Sequence, residues 1–196
     1  MHRPERDRPD PTPRIVHPVT GELVPDPAAT LPYYEYVGAR PAEWPEADFI
    51  VGNPPYLGKG KQRDALGDGY VEALRRAYPK LADGIDFVMY WWFRSGEKVA
   101  AGRVQRAGFI TTNAITQSIN RKVIALVRSE GAVIKWACRD HPWDDGGDAA
   151  AVLVAMTVQG RSDSEPSTLV SVDPAGVVLS RRTVARVSAD LRGDTG

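Results

Sequence analysis

Apolar and polar positions change their rhythm several times along the 196 residues. From Asp48 a short apolar run, Phe49-Ile50-Val51, meets an abrupt stop, Gly52-Asn53-Pro54-Pro55. Such a run, closed by turn residues, predicts a buried strand, and two consecutive prolines forbid continuing its ladder. A Gly/Lys-rich stretch, residues 58–63, then reads as a loop. Apolar residues at 70, 71, 74 and 78 have the spacing of a helix. A second helix is expected from Asp83, a suitable N-cap, to about residue 101: positions 85, 88, 89, 92 and 99 share one face and Gly102 ends it. Phe109-Ile110-Thr111-Thr112 reads as the next strand, and helix follows from about Ser118, with Ile119, Val123 and Val127 four apart. Residues 132–137 and 149–158 read as two more strands, separated by a loop over 139–147. A short hairpin around Leu169 and Val177 is expected in the tail. Strand–helix–strand alternation predicts an α/β sheet with parallel crossovers in its first half, and the two late strands form an antiparallel hairpin at its edge.

Composition changes this picture mainly at the N-terminus. Ten of the 16 prolines lie in the first 45 residues, which rules out a regular helix or central strand over 1–32. An extended arm over 1–46 is expected, docked where Tyr33, Tyr34, Tyr36 and Trp44 provide apolar surface, followed by a globular region, 47–160, and a C-terminal extension or linker, 161–196. With 42% hydrophobic and 26% charged residues the chain has the balance of a globular domain with one core. The long apolar runs, residues 87–93 and 149–156, are too short to span a bilayer, and no charged-then-apolar leader is present, so no membrane association and a cytoplasmic location are expected. A lone Cys138 excludes a disulfide framework, and with three scattered His it cannot complete a zinc site. Cys138 follows Ala137 in an apolar strand and reads as buried packing, so no covalent catalysis is suggested.

Charge sums to zero, 25 basic against 25 acidic side chains, but is uneven. Residues 1–55 hold 5 basic and 9 acidic, residues 56–139 hold 15 and 7, and residues 140–196 hold 5 and 9. The middle of the chain can face a polyanion, or these are solvated helix faces.

The informative segment is Asn53-Pro54-Pro55-Tyr56. In open α/β sheets ligands bind beyond the carboxyl ends of strands, where these residues fall. The prolines stiffen the turn, so the Asn53 side-chain oxygen and the Pro54 carbonyl can both accept hydrogen bonds from one planar NH2. Holding both N–H bonds turns the nitrogen lone pair toward an electrophile, which is catalysis by orientation. Tyr56 offers a flat face for the ring that carries the amine. A base in a duplex reaches such a pocket only when flipped out.

These residues resemble the amine-clamping motif of the S-adenosylmethionine-dependent amino-group DNA methyltransferases. Residues 47–61, 86–92, 108–121 and 141–157, including Leu57-Gly58-Lys59-Gly60-Lys61-Gln62-Arg63 and Tyr90-Trp91-Trp92, are similar to the MmeI-like adenine-specific methyltransferase domain of fused restriction–modification enzymes. The resemblance implies a partial Rossmann-like class I methyltransferase sheet, its catalytic half, with the catalytic region at 47–160. It also implies Asn53 and Pro54 orienting adenine N6, Tyr56 stacking on the flipped base, S-adenosyl-L-methionine as cofactor and double-stranded DNA as partner. Similar motifs serve methyltransferases of a protein glutamine amide or an RNA base, and a non-catalytic nucleic-acid-binding remnant is the reading from another class.

Around this centre, Lys59, Lys61 and Arg63 either grip phosphates flanking the target base or form an ordinary solvated loop. Asn120, Arg121 and Lys122 are further candidates for phosphate. Trp143 serves either as a second aromatic wall or as cover for a core edge; Trp91 and Trp92 read as helix packing. Thr111, Thr112 and Asn113 either line the pocket or cap the next helix. No strand–glycine–helix order for the cofactor is present, so beyond a partial contact from Asn53 the cofactor site is missing. A complementing upstream half is the implied partner, and the chain alone is expected to bind S-adenosylmethionine weakly or not at all.

Overall fold

The proline-rich segment is extended, as its fixed φ angles require, and its pieces pair with one another. In the computed structural model, which describes residues 2–143, 152–162 and 165–193, β1 (His2–Pro9) pairs antiparallel with β4 (Thr30–Tyr36), and β2 (Arg14–Val16) with β3 (Leu23–Pro25). Both sheets have only two strands, so every strand is an edge and prolines without an N–H are tolerated. The side chains of Tyr33 and Tyr34, expected to dock the arm, lie outside the described residues.

The chain divides into two compact units, 1–42 with 61–80 and 43–60 with 81–196. The first unit holds these ribbons, most of α1 (Lys59–Leu66) and α2 (Asp68–Ala77). The stretch expected to be a loop is thus helical from Lys59. Its glycines and lack of apolar spacing hide a run of good helix formers, Lys61-Gln62-Arg63 and Ala65-Leu66. Arg63 braces α1 against α2 through Asp68 at 2.8 Å and Glu72 at 2.5 Å. Tyr36 meets Tyr70 edge to face at 5.9 Å, the docking foreseen for that ring.

The second unit is built on a six-stranded sheet. Its strands are β5 (Phe49–Gly52), β6 (Arg106–Thr112), β7 (Ala132–Trp143), β8 (Val152–Arg161), β9 (Ser167–Val172) and β10 (Val178–Val184), in the order β10-β9-β7-β8-β6-β5. β5 and β6 are parallel, as the intervening helix predicts, whereas β8 is antiparallel to both β6 and β7. The β7–β8 hairpin therefore forms as expected, but inside the sheet: β9 adds parallel to β7, and β10 folds back antiparallel on β9. β7 also runs through Trp143 rather than ending near residue 137. β9 covers only Trp136, Ala137 and Cys138, so Pro142 lies on an uncovered side where its missing N–H costs nothing. The rest of the expected loop, residues 144–147, and the first residues expected in β8, 149–151, lie outside the described residues.

Two helices cover one face of this sheet, α3 (Val88–Ala100) and α4 (Ser118–Ser129), the latter preceded by a single 3₁₀ turn over Asn113–Thr116. Ala107, Phe109 and Thr111 of β6 and their partners Gln159, Thr157 and Ala155 of β8 form the buried face. Trp92 of α3, 0% exposed, lies over it, with its indole N–H bonded to Thr157 Oγ1 at 3.1 Å. Ser95 donates to Gln159 Oε1 and Gln159 Nε2 to the Trp92 carbonyl, so the polar groups in this core are satisfied by one another. Gly96 brings α3 against α4: a Cβ there would sit 2.5 Å from Val127 Cγ1. α3 begins at Val88, five residues after the expected cap, because Gly84 takes a left-handed φ of 86° and turns the chain before the helix can start. No helix among the described residues is long and apolar enough to cross a membrane.

Candidate functional site

β5, β6 and β7 all point the same way, so their carboxyl ends deliver residues 53–58, Asn113 and Trp143 to one end of the sheet. Asp86, before α3, and the first turn of α4 arrive there by the same topology. The N-terminal end of β5 carries different chemistry: a cavity of about 750 Å³ between residues 43–48, including the half-buried Trp44, and Arg94, Lys98 and Arg103.

The ladder stops at Gly52, where Pro54 and Pro55 remove the next donors. Pro54 is buried and anchors the turn, while Asn53 and Pro55 are exposed and Tyr56 is half-buried. The Tyr56 hydroxyl donates to Asn53 Oδ1. Burial pushes the Tyr56 phenol up from its ordinary value, and the bond to Asn53 only partly offsets this, so the ring stays protonated and donating across neutral pH. The carboxamide oxygen assigned to an incoming amine is thus already oriented, and an amine must compete with the phenol for it. The exit of the turn is fixed by two backbone bonds, Leu57 N–H to the Pro55 carbonyl at 3.2 Å and Phe87 N–H to the Leu57 carbonyl at 2.9 Å.

The remaining candidates separate. Lys59 is exposed, and its stem crosses Gly84, 2.9 Å from where a Cβ would lie. Lys61 and Arg63 belong to the first unit; Lys61 is exposed, but Arg63 is committed to Asp68 and Glu72. Arg121 is exposed on α4; the Asp190 carboxyl is held below its ordinary value chiefly by the Ser188 hydrogen bond, with the Arg121 charge the smallest contribution. Asn113 donates to Asp140 Oδ1 at 2.7 Å, while its own Oδ1 is buried and accepts no hydrogen bond. Thr111 turns into the core, where its hydroxyl bonds the Ala155 carbonyl, and Thr112 makes no side-chain cap bond. Trp143 is half-buried at the end of β7, opposite Val152. Cys138 is buried, and burial raises its thiol pKa, so no thiolate nucleophile is offered.

Asn120 corrects an expectation. It is 0% exposed and cannot meet phosphate, because its amide is spent on Asp86 and on the Ala114 carbonyl. The buried positions of α4 are 120, 123, 124 and 127, so an Asn on that stripe was the available signal of a buried polar hub. Asp86 carried no comparable signal, nor did Asp140, which reaches Asn113 from a left-handed φ of 55° beside a bulge in β7.

The site therefore offers an oriented carboxamide, a half-buried phenol ring and exposed cations. Among the described residues no glycine-rich strand–helix turn borders Asn53, and β5 is an edge strand rather than the buried strand expected: it has a strand neighbour on one side only, which leaves Phe49 61% and Val51 88% exposed.

Comparison with known proteins gives this geometry a family. The MmeI DNA-methyltransferase domain matches residues 18–171, a stretch that contains the whole of β5 to β8 and nearly all of β9. DNA methyltransferase A of Bacillus subtilis (strain 168) is 26% identical over 153 residues, covering 74% of this chain and 16% of that protein. The structure of the Type IIL restriction–modification enzyme MmeI in complex with DNA superposes with a TM-score of 0.62 at 26% identity, covering 74% of this chain and 19% of that one. The chain thus spans less than a fifth of either relative's length. By sequence over most of its length and by the fold of its mixed sheet, the chain belongs to the MmeI DNA-methyltransferase domain family.

Proposed function

We propose that this chain is the acceptor side of a restriction–modification DNA methyltransferase, one that methylates N6 of a flipped adenine with S-adenosyl-L-methionine as donor and acts in the cytoplasm. The observation that carries this reading is the Asn53–Tyr56 hydrogen bond in a proline-stiffened turn at the carboxyl end of β5, within a chain of this family. The residues of the chain act on the acceptor alone. Asn53 Oδ1 accepts one N–H of the exocyclic amine, displacing the Tyr56 hydroxyl, and the Pro54 carbonyl accepts the other. With both hydrogens held, the nitrogen lone pair stands clear of the ring plane. The Tyr56 ring supplies the stacking that replaces the neighbours lost on flipping. Pro55 keeps the turn from relaxing between turnovers.

Duplex DNA is the partner, with Lys59, Lys61 and Arg121 on its phosphates and Asn113 and Trp143 toward the target base; Arg63, paired within its own unit, supports α1 instead. The donor site is completed by a complementing half that adds to the open edge of β5. The region 47–160 is the catalytic part, with 1–46 as arm and 161–196 as extension.

The test keeps the protein in its natural setting, where any complementing half is present. Asn53→Ala is introduced at the chromosomal gene and genomic N6-methyladenine is mapped by sequencing. Loss of methylation at one recurring sequence is expected. Unchanged methyladenine, with methylation lost instead from RNA or from a protein amide, would move the acceptor; no change in any of the three overturns the enzymatic reading.

A further inference from the structure

We infer that Asn120, acting through Asp86, is a positioning residue for the Asn53–Tyr56 turn. This inference rests on the reading of that turn as an amine clamp. Asn120 sits on the buried stripe of α4, yet its amide makes no bond within its own helix. Its Oδ1 accepts the Asp86 backbone N–H at 3.0 Å, and its Nδ2 donates to Asp86 Oδ2 at 2.9 Å and to the Ala114 carbonyl at 2.8 Å. Both amide hydrogens and the oxygen are therefore used, and one side chain ties the residues before α3 to the 3₁₀ turn that carries Asn113.

The tie passes on to the clamp. The residue after Asp86 donates its backbone N–H to the Leu57 carbonyl, one position beyond Tyr56. The other Asp86 carboxylate oxygen lies against Gly58, 3.6 Å from where a Cβ would stand. Asn120 fixes Asp86, Asp86 and Phe87 fix residues 57–58, and the turn is thereby held at both ends: by β5 before Asn53 and by this relay after Tyr56. A buried polar side chain in a helix stripe costs stability unless fully bonded. A clamp that works by orientation accounts for its presence where Leu or Val would pack.

The test uses the whole chain. Asn120→Asp keeps the volume but loses both donors and sets a carboxylate against Asp86. Hydrogen exchange is expected to accelerate by about tenfold or more in the peptide spanning residues 53–60 while β6 and β8 keep their protection. The double variant Asn120→Asp/Asp86→Asn, which returns a donor to the pair, is expected to recover part of that protection. A duplex with one mismatched adenine beside a 2-aminopurine gives the functional readout: the probe's fluorescence rise as the adenine leaves the stack should fall in Asn120→Asp and return in the double variant. Unchanged exchange over 53–60, or acceleration spread evenly through β6 and β8, overturns the relay. Localised acceleration with no fluorescence rise even for the unmodified chain upholds the relay and instead refutes base capture by this turn.

Discussion

Replacing Tyr56 by Phe isolates one atom of the site. The hydroxyl it removes holds Asn53 Oδ1, the acceptor an amine has to win. A neutral intramolecular hydrogen bond is worth about 0.5–1.5 kcal/mol net, so relieving that competition favours amine binding by about 2- to 13-fold. Loss of the restraint on Asn53 offsets part of this, since fixing one side chain costs about 0.5–1.5 kcal/mol. The net expectation lies between no change and roughly a fivefold gain. The ring stays in place, so stacking is kept; Tyr56→Ala removes it, at about 1–3 kcal/mol or roughly 5- to 150-fold in affinity. Two duplexes that differ only in carrying a mismatched adenine or a mismatched purine without the amine isolate the effect, each competing against a fluorescent duplex. The adenine-to-purine affinity ratio should hold or rise in Tyr56→Phe, fall to about one in Asn53→Ala, and hold or rise likewise in Tyr56→Ala while both affinities drop. A Tyr56→Phe variant whose ratio collapses like that of Asn53→Ala would show that the hydroxyl binds the base and does not compete with it.

Three further outcomes follow from the same contacts. Lys59→Ala with Lys61→Ala should lower the slope of log affinity against log salt by about 1.8, at about 0.9 per phosphate contact; an unchanged slope removes both from the DNA surface. Gly96→Ala gains about 1 kcal/mol of helix propensity but drives a methyl into Val127, so a net loss of about 1–2 kcal/mol is expected in urea denaturation, reduced when Val127→Ala is added; a more stable Gly96→Ala would refute the close approach. Arg63 holds the Glu72 carboxyl below its ordinary range. The unfolded chain therefore binds more protons between the two pKa values, and this contribution is full above the ordinary carboxylate range and fades as pH falls through it to the lowered value. The urea midpoint should drop from about pH 5 to pH 3, less steeply in Glu72→Gln and less in high salt because the pair is exposed; identical profiles for the two proteins would remove Arg63 as the cause.

Much of the fold could be read from the chain where its signals are local. Proline ends β5 immediately at Asn53, and a 3.6-residue period marks α2 and α4 whatever surrounds them. What the sequence hid depends on distant partners. α1 lacks an apolar face, β9 joins the sheet beside a strand thirty residues earlier, and the start of α3 is displaced by the turn at Gly84. At the site the acceptor and the ring were legible as residue types. Their mutual hydrogen bond, and the use of Asn120 on Asp86 from thirty-four residues away, arise only when the chain closes on itself. Arg63 shows the opposite failure, a cation whose neighbours suggested nucleic acid and whose carboxylates were supplied by the next helix.

The sole cysteine, Cys138, is 1% exposed in the core of the sheet. The native surface is therefore blank to maleimide chemistry, and one cysteine introduced at an exposed position such as Ala125 or Arg128 would accept a spin label or fluorophore alone. Dipolar or energy-transfer rulers from those two points to a labelled oligonucleotide can then follow the approach of nucleic acid without first mutating away a structural thiol.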